Sequence, residues 1–386
     1  MSNRVASPLL RRINERRVLE VIQQLGAASR ADVGRASGMT APTVSKAVDS
    51  LIRLGFLEEE LPQETSVGRP GKVLQLASKT ANVLGVVLDS QKGWVLSAGL
   101  EGKIVPERCR LFEMPGTYAE MLDVVEGHAR DLTSAFGAEP RGVGISVPGL
   151  INSTNSEVIL SPNVRLLDGH RPAADLAKRL GAPCVMLQES HALCLSERMY
   201  GEARGVDNFA MLDVSTGLGL GVMMGGELLS GQSGLAGELG HITVELNGER
   251  CGCGNQGCLE TVATDSALAR LISAKVGRKV DIDEAVRLIR AQEVDATEEL
   301  GRTSEYLAIA IAAVINIFNP ATLFVHGLML DAADDLFERV VQRARQRALK
   351  PSFADCSVRR ARGSKRQGVI AGIIHDMTAS WAPTLS

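Results

Sequence analysis

The chain has 386 residues, too many for one compact core, so two or three domains are expected. Its 45% hydrophobic and 23% charged residues are those of an ordinary soluble protein, and 3% aromatics argue against an aromatic-lined binding platform. The net charge of −3 hides an asymmetry: residues 1–79 hold 12 Lys+Arg against 8 Asp+Glu and the remainder 30 against 37, a basic head on an acidic body, which suggests that the head meets a polyanion.

The start, MSNRVASPLLRRINERR, is basic but has no apolar signal region, so export is not indicated and a cytoplasmic protein is the expectation. Val18, Leu19, Ile22 and Leu25 then repeat at helical spacing, with Gly26 as a stop. Ser29 suits the N-cap of a short helix carrying Ala31, Val33 and Ala36; SGM (37–39) makes a tight turn; Thr40 caps a longer helix with Pro42 in its first turn and an apolar stripe of Val44, Ala47, Val48, Leu51 and Leu54. Helix, glycine-containing turn, helix is the arrangement that reads DNA. Ala41, Thr43, Ser45 and Lys46 fall away from the stripe, where small residues admit the major groove and hydroxyls and a cation meet phosphates and base edges. Together with Ser29, Arg30 and Thr40 they form the candidate DNA face. TSVGRPGKVLQL then predicts a β-hairpin wing whose tip offers Arg69 and Lys72.

From residue 82 apolar strands alternate with helices, an α/β body. No apolar stretch reaches the length of a membrane span; the longest, LAIAIAAVINIF (307–318), suits a buried helix. In CGCGNQGCLE (251–260), Cys251, Cys253 and Cys258 join His241 to supply three thiolates and an imidazole, the set of a closed structural zinc site, with Gly252, Gly254 and Gly257 letting the loop fold tightly. A Cys251–Cys253 disulfide would be strained, and a redox pair is the weaker alternative. Cys109, Cys184, Cys194 and Cys356 are scattered and suit buried, inert positions.

SGLAGELGHITV followed by CGCGNQGCLE resembles the signature of the ROK family, which joins ATP-dependent sugar kinases with repressors carrying a winged helix–turn–helix ahead of the same sugar-binding body. The resemblance runs from residue 10 to about residue 375 and includes the GRPG wing. It implies a two-lobed actin/hexokinase-like (RNase H-like) α/β body behind the head: residues 1–79 for the head, 80–188 with a C-terminal helix over 367–386 for a small lobe, and 189–366 for a large lobe holding the zinc loop. Kinases of the family open the body with D-x-G-G-T, which holds ATP phosphates. Here Val87 replaces the Asp, and Asp89, Ser90 and Gln91 replace Gly-Gly-Thr. A carboxylate there repels phosphate, and Leu328 stands for the second glycine of a pair that lies under the adenosine, so the resemblance implies lost ATP binding and no enzyme activity. The second phosphate turn survives as STGLGLG (215–221).

The sugar side is more intact. Gly149 matches the family's Pro-Gly segment, Asn163 its sugar-binding Asn, and Glu238, His241 and Glu260 its hydroxyl-binding residues; His241 would hold zinc with one nitrogen and face the sugar with the other. Gln188 and Glu189 replace the Asn and Asp of the kinase E-N-D segment, so Glu189 is expected to contact ligand rather than catalyse, and a two-residue shift would bring His191 there instead. The implied protein is a zinc-bearing homodimer, or a tetramer built from it. It would bind double-stranded, near-palindromic operator DNA and respond to a monosaccharide or sugar phosphate as a repressor of carbohydrate uptake or catabolism. A sugar kinase that retains a DNA-binding head, and a regulator controlled by docking of a transport protein, are the alternatives.

Overall fold

The computed structural model describes residues 3–60 and 72–379. The head is three helices and a wing: α1 (Asn3–Leu25), α2 (Arg30–Ser37), α3 (Ala41–Arg53), β1 (Leu57–Glu60) and β2 (Val73–Leu76). Val18, Leu19 and Ile22 of α1 and Val44, Ala47, Val48 and Leu51 of α3 are buried together with Val33 of α2. The periodicity runs out at the helix ends. Leu25 and Leu54 are exposed, and α2 turns inward with Val33 and Ser37 while Ala31 and Ala36 face solvent. Ser29 caps α2 in a reciprocal pair with Asp32. Thr40 occupies the N-cap of α3, but its hydroxyl meets that of Thr43 at 2.9 Å and makes no cap bond to the backbone, a correction to the expected cap. The wing strands pair antiparallel, Leu57 opposite Leu76, and Leu74 bridges to Ala28. The wing tip with Arg69 lies outside the described residues.

Next come β3 (Asn82–Leu88), β4 (Lys92–Ala98), β5 (Cys109–Glu113), α4 (Tyr118–Phe136) and β6 (Pro140–Val147); β7 (Leu150–Asn152) and β8 (Glu157–Leu160) form a small hairpin, followed by α5 (Pro172–Leu180) and β9 (Cys184–Gln188). NVLGVVL is apolar throughout and buried at every position, which places β3 inside a five-stranded sheet of order β5-β4-β3-β6-β9. The rest of the chain gives α6 (Glu189–Tyr200), β10 (Phe209–Asp213), β11 (Gly219–Met224), β12 (Glu227–Leu228), α7 (Asp265–Val276), α8 (Ile282–Arg290), α9 (Thr297–Phe318), β13 (Thr322–His326), α10 (Leu336–Arg347), α11 (Lys350–Ala354), β14 (Ser357–Arg360) and α12 (Lys365–Ala379). Its sheet, β12-β11-β10-β13-β14, repeats the plan of the first: an antiparallel meander of three strands whose first strand in the chain, β3 or β10, also pairs parallel to a later one.

The chain divides into two compact units, one of Met1–Val147, Arg171–Leu187 and Ser364–Ser386, the other of Pro148–His170 and Gln188–Gly363. Residues 148–170 thus group with the second unit, whereas the sequence division puts them in the small lobe; their hairpin is tied there by Ser153 N–H donating to Ser233 O. The head groups with the first lobe. Arg141 at the start of β6 donates to Gly55 O at 2.9 Å and stacks over the Phe56 ring. Within the second unit α9 is long and apolar enough to cross a membrane, and over half of that apolar stretch is buried. Its Leu307, Ile311, Val314 and Ile315 join the core under β10 and β13.

α12 belongs to the first unit, where it lies on β6 so closely that a Cβ on Gly144 would sit 1.8 Å from Val369 O. That neighbour is backbone and cannot swing away. Gly144→Ala is therefore expected to destabilise the protein by about 3 kcal/mol, the upper end of overpacking costs, read as a lowered thermal midpoint; an unchanged midpoint would refute this packing.

Candidate functional site

The second unit gathers the polar residues that the sequence analysis singles out. Residues 243–258 fold back on themselves through bridges between Thr243 and Cys258 and between Arg250 and Gln256. Gly257 makes this fold-back: its φ is +70°, and a Cβ would lie 1.6 Å from Glu245 O. The loop brings Cys251, Cys253 and Cys258 to His241 on the short turn Leu239–His241, with all four ligand atoms within 4.8 Å of one another. Cys253 Sγ is 3.8 Å from Cys258 Sγ, and Cys251 Sγ is 3.7 Å from His241 Nδ1. A tetrahedron with metal–sulfur bonds of about 2.3 Å has edges of about 3.8 Å, so the cluster has the size that a four-coordinate cation needs. The sulfurs are too far apart for a disulfide, and all seven cysteines are free. Burial pushes the Cys251 and Cys258 thiols up, disfavouring thiolate until a cation reverses the balance.

A pocket opens beside this cluster, and all seven expected ligand residues line it: Gly149, Asn163, Gln188, Glu189, Glu238, His241 and Glu260. They come from the β6–β7 and β8–α5 connections, the start of α6 and the two turns flanking the cysteine loop. Gln188 Nε2 donates to Glu238 Oε1 at 3.1 Å and to Gly149 O at 3.3 Å. His241 Nε2, the nitrogen turned away from the cysteines, is 3.8 Å from Glu238 Oε2, so a hydroxyl oxygen about 2.8 Å from each would bridge them. Burial pushes the Glu238 carboxyl above its ordinary range. At the α6 start Glu189 lines the pocket, whereas His191 is buried and is not among the lining residues, its pKa pushed down to about 4 by burial.

In each of the two turns expected to hold phosphate, one amide is bonded to a carboxylate of the chain itself. In the β3–β4 turn Ser90 N–H donates to Asp89 Oδ1 at 2.6 Å. In the β10–β11 turn Leu218 N–H donates to Glu260 Oε2 at 3.0 Å. The glycines there serve packing, since a Cβ on Gly221 would meet Cys194 Sγ of α6 at 2.6 Å. A pair that the sequence reading missed stands at the ends of β10 and β13. Asp213 and His326 are register partners, with Oδ1 and Nδ1 2.8 Å apart, and Asp213 also lines the pocket. Nearby Asp265 accepts Leu328 N–H and Met329 N–H, and burial pushes it up to about 6. Asp213 and His326 lie 113 positions apart in the chain, and the parallel register of β10 and β13 brings them together.

On the head, Ala41 and Lys46 are exposed and Thr43 is half-buried along the outer face of α3. Other candidates for that face are engaged by neighbouring residues of the head. Ser29 is the α2 cap. Arg30 pairs with Asp49 and Glu59 and donates to Ser45 Oγ, and Lys72 pairs with Glu59.

Duplicated five-stranded sheets, a pocket lined by carboxylates and amides beside a four-ligand His/Cys cluster, and a head of three helices and a two-stranded wing define an actin/hexokinase-like body behind a helical head. The chain belongs to the ROK family, whose sequence pattern matches residues 98–374. It is 27% identical to the xylose repressor of Bacillus subtilis (strain 168) over 84% of each chain. Among solved structures it is similar to a ROK family transcriptional regulator, a homologue of the Escherichia coli MLC protein, at 25% identity and a TM-score of 0.78, covering 97% of this chain and 99% of that one. The ROK hexokinase of Thermus thermophilus is 26% identical with a TM-score of 0.65, covering 99% of its own chain but 78% of this one.

Proposed function

We propose that the protein is a sugar-responsive repressor of carbohydrate uptake or catabolism genes and not a kinase. The observation that carries the reading is a contrast: the residues expected to bind sugar hydroxyls line one pocket, while in each turn expected to hold ATP phosphates one amide is bonded to a carboxylate, Asp89 in one and Glu260 in the other. The name of the Bacillus relative, and the near-complete match to a ROK regulator, support it. His241, Cys251, Cys253 and Cys258 would hold one structural zinc ion per subunit, and zinc on Nδ1 would fix the ring so that Nε2 meets the sugar. Two subunits would set their α3 helices into successive major grooves of a near-palindromic operator, in the cytoplasm where that DNA lies. The sugar acts by favouring one of two conformations that differ in operator affinity.

The test is fluorescence anisotropy of the full chain on double-stranded DNA from its own upstream region, with and without a panel of monosaccharides and their phosphates, beginning with xylose. A sugar that shifts the curve supports the reading. Tight binding that no sugar moves points to control by a docked transport protein, and ATP turnover that falls in Glu189→Gln would return the protein to the kinases. Lys46→Ala is expected to weaken operator binding and lower the salt dependence by about one phosphate contact. The same is expected of Arg69→Ala. Undiminished binding by both would remove the head assignment.

A further inference from the structure

The head holds an alternating chain of charges that its proposed role does not use. Arg30, the first residue of α2, places Nη1 2.8 Å from Asp49 Oδ1 and 3.1 Å from Ser45 Oγ, both on α3, and Nη2 2.8 Å from Glu59 Oε1 on β1. The other oxygen of Glu59 takes Lys72 Nζ at 2.7 Å, just before β2. Four side chains of summed charge zero therefore tie α2, the recognition helix and the wing. Asp49 lies one helical turn from Ser45 and Lys46 on α3, and Glu59 is the innermost member, its side chain only 19% exposed. Lys72 and Arg30 hold the Glu59 carboxyl below its ordinary range. Two cations at the edge of the DNA face are thus already neutralised, whereas Lys46 is exposed and forms no ion pair among the described residues.

Sequence-independent affinity for DNA comes from cations placed on phosphates, and each such contact steepens the salt dependence by about 0.9 in the log–log slope. A head with every cation free would bind any duplex tightly and gain little discrimination. We propose that Glu59, supported by Asp49, is a specificity-determining residue of the head: it withholds Arg30 and Lys72 from DNA phosphates and fixes the wing against α3. This rests on the DNA-binding reading and adds to it, since the ordinary expectation is that Arg30, Ser45 and Lys72 contact DNA themselves.

The test uses the full chain with Glu59→Gln, which keeps the shape and removes the charge, and the double variant Glu59→Gln/Lys72→Gln. Each is titrated onto the upstream duplex and an unrelated duplex of equal length, from about 50 to about 200 mM salt. Glu59→Gln is expected to bind the unrelated duplex roughly tenfold or more tightly near 0.1 M salt, with a slope steeper by about one to two. The ratio of specific to unrelated affinity falls with it. The double variant returns the slope by about one. Weaker binding of Glu59→Gln to both duplexes at an unchanged slope would show that Glu59 only holds the fold and overturns the proposal; a thermal melt that matches wild type, with the slope still unchanged, overturns it equally. If wild type binds neither duplex at low salt, the DNA-binding reading itself fails, so the two failures are distinct.

Discussion

A Cys258→Ala chain is expected to purify with far less than the one zinc ion per subunit proposed for the wild-type protein, and to lose its sugar response while keeping its affinity for operator DNA. Cys258 is wholly buried, and its backbone is set by the bridge to Thr243 and by Thr261 Oγ1 donating to Cys258 O at 2.7 Å. Alanine satisfies those backbone demands, so what is lost is the ligand. Loss of an outer partner of a metal ligand costs roughly 10- to 100-fold in affinity, and loss of a ligand in a closed set of four costs more. The sugar response follows through His241. With Nδ1 at the cluster and Nε2 toward Glu238, removal of the ion frees the ring to turn and breaks the bridge that a sugar hydroxyl would use. Metal content by mass spectrometry checks the first part, and anisotropy with sugar checks the second. Wild-type protein should also melt lower in a strong chelator, because an ion that binds only the folded state stabilises it by mass action. Full zinc occupancy in Cys258→Ala, or a melt indifferent to chelator, would refute the site.

The cluster and the pocket residues beside it were legible in the sequence because their information is local. The cysteines lie within eight positions, and the glycine that closes their loop lies between them. Glu238, His241 and Glu260 flank the same loop, so short motifs carry their geometry. The proposed DNA face was only half legible. The pattern of α3 marked its outer side, and Ala41 and Lys46 are indeed exposed there. What Arg30 and Lys72 do depends on Asp49 and Glu59, which belong to other elements and come near only when α2, α3 and the wing assemble. No spacing announces a pair 29 residues apart, as Arg30 and Glu59 are. The Asp213–His326 pair was hidden for the same reason, since a parallel register is a property of the sheet and not of either strand. Helix ends misled in a different way. Leu25 and Leu54 keep the apolar period to the last turn, but the chain leaves each helix there and no neighbour remains to cover them.

Glu238→Gln is expected to raise the sugar concentration needed for half-maximal response by roughly 10- to 150-fold, matching the ~1.5–3 kcal/mol of a hydrogen bond to a charged group, while sugar-free operator binding is retained. The substitution is nearly isosteric, so the effect comes from hydrogens rather than volume. In the native pocket Glu238 presents acceptors on both sides, one to Gln188 Nε2 and one toward His241 Nε2. An imidazole that gives Nδ1 to a metal carries its hydrogen on Nε2. A glutamine amide at 238 has one acceptor and one donor end, so in either orientation its NH2 faces another donor, that of Gln188 or that of His241. With its NH2 toward Gln188 two donors meet; with its NH2 toward His241 the hydroxyl between them can accept from both but finds no acceptor there for its own hydrogen, so either way a hydrogen bond is lost. Glu238→Asp separates charge from reach: it keeps two acceptors but withdraws them by one methylene, so it should impair the response less than Gln if the acceptors matter most, and more if position does. A dose–response curve of operator release for the three proteins decides between these. Unchanged sugar sensitivity in Glu238→Gln would remove Glu238 from the ligand site, and loss of operator binding without sugar would show that the pocket holds the DNA-binding state together instead of switching it.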